Sequence, residues 1–186
     1  MEIILRSASP RRKELLEREG YKFKIVPADI DESINPSLSP LENVKLIGLK
    51  KAKFNSEMYT NSIIIGCDTI VTLDGIIYGK PKDENDAYRM LKLFSNKTHE
   101  VMSGVGIIYN EKIYNFVVTS KVTFKDLTDK EIYDYIATKE CFGKAGAYAI
   151  QGIGKSLVLK YEGELENIIG LPIKEVKEIL DTLMEA

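Results

Sequence analysis

Ser7-Ala8-Ser9-Pro10-Arg11-Arg12 sets two hydroxyls and two guanidiniums where an apolar run gives way to a helix start. Free backbone N–H groups and the positive helix end favour an anion there, and Pro10 fixes the entry. Cations in a first turn cost roughly a few tenths of a kcal/mol. A bound polyanion reverses that sign; a solvated turn paired with Glu14 is the alternative. Asp68 closes the run Ile63-Ile64-Ile65-Gly66-Cys67. A carboxylate at the end of a buried strand is costly unless paired, hydrogen-bonded or coordinated, and ligands of open α/β sheets gather at such strand ends. Lys80 lies between Gly79 and Pro81, and the proline confines it to extended backbone. Lys50, Lys51 and Lys53 line a helix face, while Asp29, Asp31 and Glu32 put oxygens on a loop. A hard cation needs only one or two such carboxylates when phosphate and water complete its shell.

The elements that must carry these groups alternate. Glu2 to Arg6 reads as a buried strand, Ser9-Pro10 opens a helix through about Glu19, and Tyr21, Phe23 and Ile25 alternate as a second strand. Ser39-Pro40-Leu41-Glu42 is a capping box whose helix is expected to reach about Met58. Ser62 to Cys67 is a buried strand, and Thr69 to Leu73 with Ile76 to Tyr78 flank an Asp74-Gly75 hairpin turn. A helix spans Asp83 to Phe94, and Val101 to Tyr109 pairs with Ile113 to Phe124 across Asn110-Glu111. Thr128 with Glu131 caps another helix, Ala147 to Ile150 and Leu157 to Lys160 are short strands, and Pro172 begins the last helix. The sum is an α/β fold, one folding unit over residues 1–186 with a mixed sheet.

Composition excludes several classes. With 26 Lys and Arg against 28 Asp and Glu, the net charge of −2 argues against a general nucleic-acid binder. Cys67, Cys141 and His99 cannot furnish a four-ligand zinc site, and no apolar run approaches a membrane span. A cytoplasmic protein with reduced thiols is expected. Residues 149–156 resemble a phosphate-binding P-loop, but Ala149 stands where that motif requires glycine and no long helix follows. A Cys/His nucleophilic dyad has no local support; a buried cysteine and a strand-edge histidine fit better.

Together, residues 7–16, Lys51-Ala52-Lys53, Gly66-Cys67-Asp68-Thr69, Gly79-Lys80-Pro81, residues 144–152 and Gly170-Leu171-Pro172 resemble the Maf family of nucleoside triphosphate pyrophosphatases. The resemblance implies a mixed twisted sheet flanked by helices with a long active-site cleft, and a homodimer. It also implies hydrolysis of dTTP and UTP between the α and β phosphates with Mg²⁺ or Mn²⁺. Modified pyrimidine nucleotides are further substrates the same pocket could admit. Asp68 matches the family's proton acceptor and Glu32 an acidic partner in the metal site. Ser9, Arg11, Arg12, Lys51 and Lys80 match phosphate-binding positions. Arg11, Thr69 and Gln151 match the positions that mark pyrimidine preference. A non-catalytic nucleotide-binding regulator of cell division is the competing reading.

Overall fold

Ile3, Ile4 and Leu5 are buried in β1 (Glu2–Leu5), which runs parallel to both β2 (Lys24–Ile25) and β3 (Ser62–Leu73) in the computed structural model, which describes residues 1–185. The seven-stranded mixed sheet has the order β2-β1-β3-β5-β6-β7, with β4 (Ile76–Tyr78) on the second half of β3. β5 (Thr98–Tyr109) and β6 (Lys112–Phe124) flank the expected Asn110-Glu111 turn, and β7 is Val158–Glu162. The helices are α1 (Pro10–Arg18), α2 (Pro40–Lys53), α3 (Glu84–Phe94), α4 (Asp129–Ala137), α5 (Leu165–Ile169) and α6 (Ile173–Glu185). The chain divides into two compact units. The first holds residues 1–69, 103–118 and 170–186, and the second residues 70–102 and 119–169.

Five expectations need correction. The separate strands 62–67 and 69–73 are one strand, because β1 supplies a parallel neighbour up to Ile65 and β4 an antiparallel one from Val71. Asp68 therefore lies within β3 instead of at its end. The capping-box helix stops at Lys53, since Asn55 turns left-handed at φ 49° and a separate 3₁₀ turn covers Ser56–Met58. The second strand keeps only Lys24–Ile25. No strand forms over 147–150, because Gly146 and Ala147 at φ 71° and 64° take up a left-handed turn that extended pairing forbids. His99, read as a strand-edge residue, is buried.

In the first unit, α2 is pressed onto the sheet by glycines. A Cβ on Gly48 would stand 2.3 Å from the Gly104 carbonyl oxygen, and one on Gly66 2.4 Å from the Ala52 nitrogen. Helix and strands thus approach backbone to backbone, and Ala52 packs on Ile64 and Ile108. That approach brings the C-terminal turn of α2, with Lys51, over β3. The second unit is built around aromatic rings: Phe94 meets Tyr78, His99 and Phe124 at centroid distances of 5.2, 4.7 and 6.0 Å.

Candidate active site

Lys51 is the hub of the first unit's charge cluster. Its aliphatic stem is buried by the close seating of α2, and its ammonium meets Asp68 Oδ1 at 3.0 Å and Glu32 Oε1 at 3.1 Å. The side chains are 8%, 15% and 50% exposed for Lys51, Asp68 and Glu32, so the hidden cation faces acids that water reaches. The loop that presents Glu32 is closed by Asp31, whose carboxylate accepts the Ser33 N–H at 2.9 Å. That bond holds the Asp31 carboxyl below its ordinary range. Asp29 and Asp31 do not join the pair, and among the described residues no group of three or more His, Cys, Asp and Glu could hold a metal. Two carboxylates converging on one positive centre still suit a hard divalent ion that draws its remaining oxygens from phosphate and water. By that test Asp68 and Glu32 fit the cation the family implies.

Next to Asp68 in sequence, Thr69 belongs to a second network. Arg12, buried, donates Nε to the Gly170 carbonyl at 2.8 Å, Nη1 to Ser7 Oγ at 2.9 Å and Nη2 to Thr69 Oγ1 at 3.1 Å. Thr69 Oγ1 also lies 2.8 Å from Ser103 Oγ and donates to the Gly170 carbonyl at 3.2 Å. One proton and two lone pairs are all that a hydroxyl offers, so the Thr69 hydroxyl is fully engaged. Among the described residues, every hydrogen-bond partner of this guanidinium is a neutral oxygen, and two of its five N–H groups are left over. A buried cation so placed is suited to a bound anion.

The helix start behaves as its sequence suggests, with one exchange of roles. Ser9 is the N-cap of α1 with Pro10 after it and no acid in the first turn, yet its side chain makes no cap bond. Ser7 Oγ instead accepts the Ser9 N–H at 3.2 Å while receiving Arg12. Arg11 is half-buried, and burial first, then the charge of Arg12, pushes its guanidinium below the ordinary value. Ser7 and the Gly170 carbonyl, as partners of Arg12, and Ser103, as a partner of Thr69, were not singled out from sequence. The Gly170-Leu171-Pro172 motif was the available signal for the Gly170 carbonyl. Cys67 sits beneath the network with its thiol toward the Gly170 carbonyl at 3.5 Å, and burial pushes that thiol up, away from nucleophilic use.

Lys80 and Gln151 belong to the second unit, and both are exposed. Their segments are tied there by the Gly146 N–H, which donates to the Gly79 carbonyl at 3.1 Å. The P-loop-like run is a 3₁₀ segment, Gly152–Leu157, with the amides of Ile153 and Gly154 taken by the Glu140 carboxylate. An internal acid fills the place where a P-loop would cradle phosphate.

A family model described as "Maf-like protein" matches residues 2–183. The chain is 49% identical over 183 residues to a dTTP/UTP pyrophosphatase of Dictyoglomus turgidum, covering 97% of this chain and 95% of that one. It is 48% identical to a dTTP/UTP pyrophosphatase of a Geobacter species over 96% of this chain and 93% of the other. A third, from Bacillus cereus, is 47% identical over 92% and 90%. The fold matches a solved HAM1 protein from Coxiella burnetii over the whole of both chains, with a TM-score of 0.55 at 14% identity, a likeness of fold alone.

Proposed function

Because this chain belongs to the Maf-like protein family, we propose that it is a nucleoside triphosphate pyrophosphatase that hydrolyses dTTP and UTP to the nucleoside monophosphate and pyrophosphate. The observation that carries the reading is the Glu32–Lys51–Asp68 cluster, one residue along the chain from the Arg12–Thr69 network. An acid able to handle water adjoins a buried cation able to handle phosphate.

In the proposed reaction, water oxygen forms the new bond to the α phosphorus in line with the departing group. The bond from that phosphorus to the bridging oxygen breaks, pyrophosphate leaves, and the water proton passes to Asp68. Ser9, Arg11, Arg12, Lys51 and Lys80 hold the phosphate oxygens, the arginines as forks and the lysines as point charges. Asp68 and Glu32 would hold Mg²⁺ or Mn²⁺, which when bound compensates phosphate charge and lowers the pKa of a coordinated water. Thr69, its hydroxyl fully engaged, bears on the substrate by fixing the orientation of Arg12. Gln151 offers one donor and one acceptor group to a pyrimidine edge.

Residues 1–186 are assigned to one catalytic domain, with cytoplasmic residence and a homodimer as its assembly. Among the described residues no helix is long and apolar enough to cross a membrane. Incubation with dTTP, UTP, CTP, GTP and ATP in Mg²⁺ or Mn²⁺, followed by pyrophosphate detection, tests the proposal. Fastest turnover of dTTP and UTP is expected. Binding of these nucleotides without turnover would instead make the chain a nucleotide-dependent regulator.

A further inference from the structure

Gln151 stands in a turn pinned on both sides by two side chains that take no part in the chemistry above. Tyr135, buried on α4, donates its hydroxyl proton to Glu140 Oε2 at 2.8 Å and accepts the Ala149 N–H at 3.3 Å. Glu140 in turn accepts the Ile153 N–H on Oε1 at 3.1 Å and the Gly154 N–H on Oε2 at 2.8 Å. The backbone is therefore held two residues before Gln151 and again two and three residues after it, while the Gln151 side chain stays exposed.

The glycines of the turn are shaped to this clamp. Gly152 is left-handed at φ 76°, and a Cβ there would stand 2.3 Å from Glu140 Oε1. A Cβ on Gly154 would stand 2.1 Å from the Ala149 carbonyl oxygen and 2.9 Å from the Tyr135 hydroxyl. Burial, reinforced by the hydrogen bond to Glu140, pushes the Tyr135 phenol up, so it remains a donor at any pH the enzyme meets.

We propose that Glu140, supported by Tyr135, is a positioning residue for base selection: it holds the 149–154 turn so that the Gln151 amide meets the pyrimidine edge in one orientation. The proposal rests on the base-reading role assigned to Gln151. An exposed glutamine on a loose turn must be ordered when the base arrives, and a turn ordered beforehand removes that cost for the matching base. The clamp carries no group that touches phosphate, so its loss falls on KM and on discrimination between bases more than on kcat.

The test compares kcat and KM for dTTP and CTP in the wild type, Glu140→Ala, Glu140→Gln, Tyr135→Phe, Gln151→Ala and the double variant Glu140→Ala/Gln151→Ala. Amide hydrogen exchange at Ile153 and Gly154 is measured alongside. Glu140→Ala is expected to lower the dTTP-to-CTP ratio of kcat/KM roughly tenfold, mostly through KM, and to speed exchange at both amides. Glu140→Gln, which keeps an acceptor, loses less, and in the Gln151→Ala background Glu140→Ala costs no further selectivity. Wild-type selectivity in Glu140→Ala while Gln151→Ala loses it overturns the clamp, as does an equal fall in kcat on both nucleotides. Unchanged selectivity in Gln151→Ala overturns the base-reading role, and the clamp with it. Where Glu140→Ala does not fold, Tyr135→Phe and Glu140→Gln carry the same comparison.

Discussion

The surroundings of Lys51 in the first unit and of His99 in the second are both buried polar centres, yet they are satisfied in opposite ways. Lys51 is paired with two carboxylates that water still reaches. His99 is stripped of charge: burial pushes its pKa down to about 4, and its Nε2 meets the Tyr148 hydroxyl at 2.7 Å among Phe94, Phe124 and Tyr148. The difference separates chemistry from architecture. A centre proposed to meet a polyanion and water holds its paired groups at a solvent edge, whereas one that only has to pack gives up its ionisation and stacks.

Breaking the first centre should have the largest effect. Asp68→Asn preserves shape and leaves Lys51 its contact with Glu32, but removes the charge and the proposed proton acceptor. The kcat for dTTP is expected to fall roughly a hundredfold or more, with the melting temperature within about a few degrees of wild type. Steady-state pyrophosphate release and calorimetry on the same preparation check this. Retained activity would remove Asp68 from the mechanism.

The same contrast explains what could be read from residue types and spacing. Local signals were legible: Ser39 with Glu42 and Thr128 with Glu131 are reciprocal capping boxes, Asp83 caps α3, and Asp74-Gly75 turns the hairpin. The α/β class and the mixed sheet follow from those elements. The misreadings arose where tertiary pairing overrides local pattern. Asp68 and Thr69 interrupt an apolar run and so suggest a strand end, yet β3 continues because β4 pairs with residues 71–73. The strand expected at 147–150 failed on backbone angles that an Ala-Gly-Ala run does not announce. The site residues were suggested by type and by family resemblance, but their partnerships join segments near 32, 51 and 68, and near 7, 12, 69, 103 and 170. Spacing has no access to such distances. His99 was misread as a strand-edge residue for the same reason, its hydrogen-bond partner being 49 residues away.

Acid should sharpen the comparison by attacking the second centre. The ring has a pKa of about 4 in the fold and an ordinary value of 6.5, so between those limits the unfolded chain takes up a proton that the folded chain refuses. The contribution of neutral His99 is fully present above about pH 6.5 and is lost as the pH falls toward 4. At pH 5 the loss is about 2 kcal/mol. Chemical denaturation at pH 7 and pH 5 measures it. His99→Phe keeps a ring in the cluster but leaves the Tyr148 hydroxyl without this partner, so the variant is expected to start less stable at pH 7 and to lose about 2 kcal/mol less than wild type on acidification. An equal acid response in both proteins would place the sensitivity elsewhere.

The smallest expected effects lie away from both centres, at one exposed helix cap in each unit. Ser39 Oγ accepts the Glu42 N–H at 3.2 Å while Glu42 returns a carboxylate to the Ser39 N–H at 2.8 Å, and Thr128 with Glu131 repeats the arrangement at 3.2 and 2.7 Å. Replacing either hydroxyl residue by Ala strands one helical N–H and is expected to cost about 1 kcal/mol, or about 2–4 °C in melting temperature for a chain of this size. Lys51 lies three turns beyond Ser39 on α2, and its ammonium is fixed by the glycine-seated C-terminal half of that helix, so fraying at the cap should not reach it. Ser39→Ala is therefore expected to match Thr128→Ala in lost stability, with kcat for dTTP unchanged in both. A selective fall in kcat for Ser39→Ala would show that α2 moves as one rigid lever, with Lys51 positioned by its cap and not by its glycines.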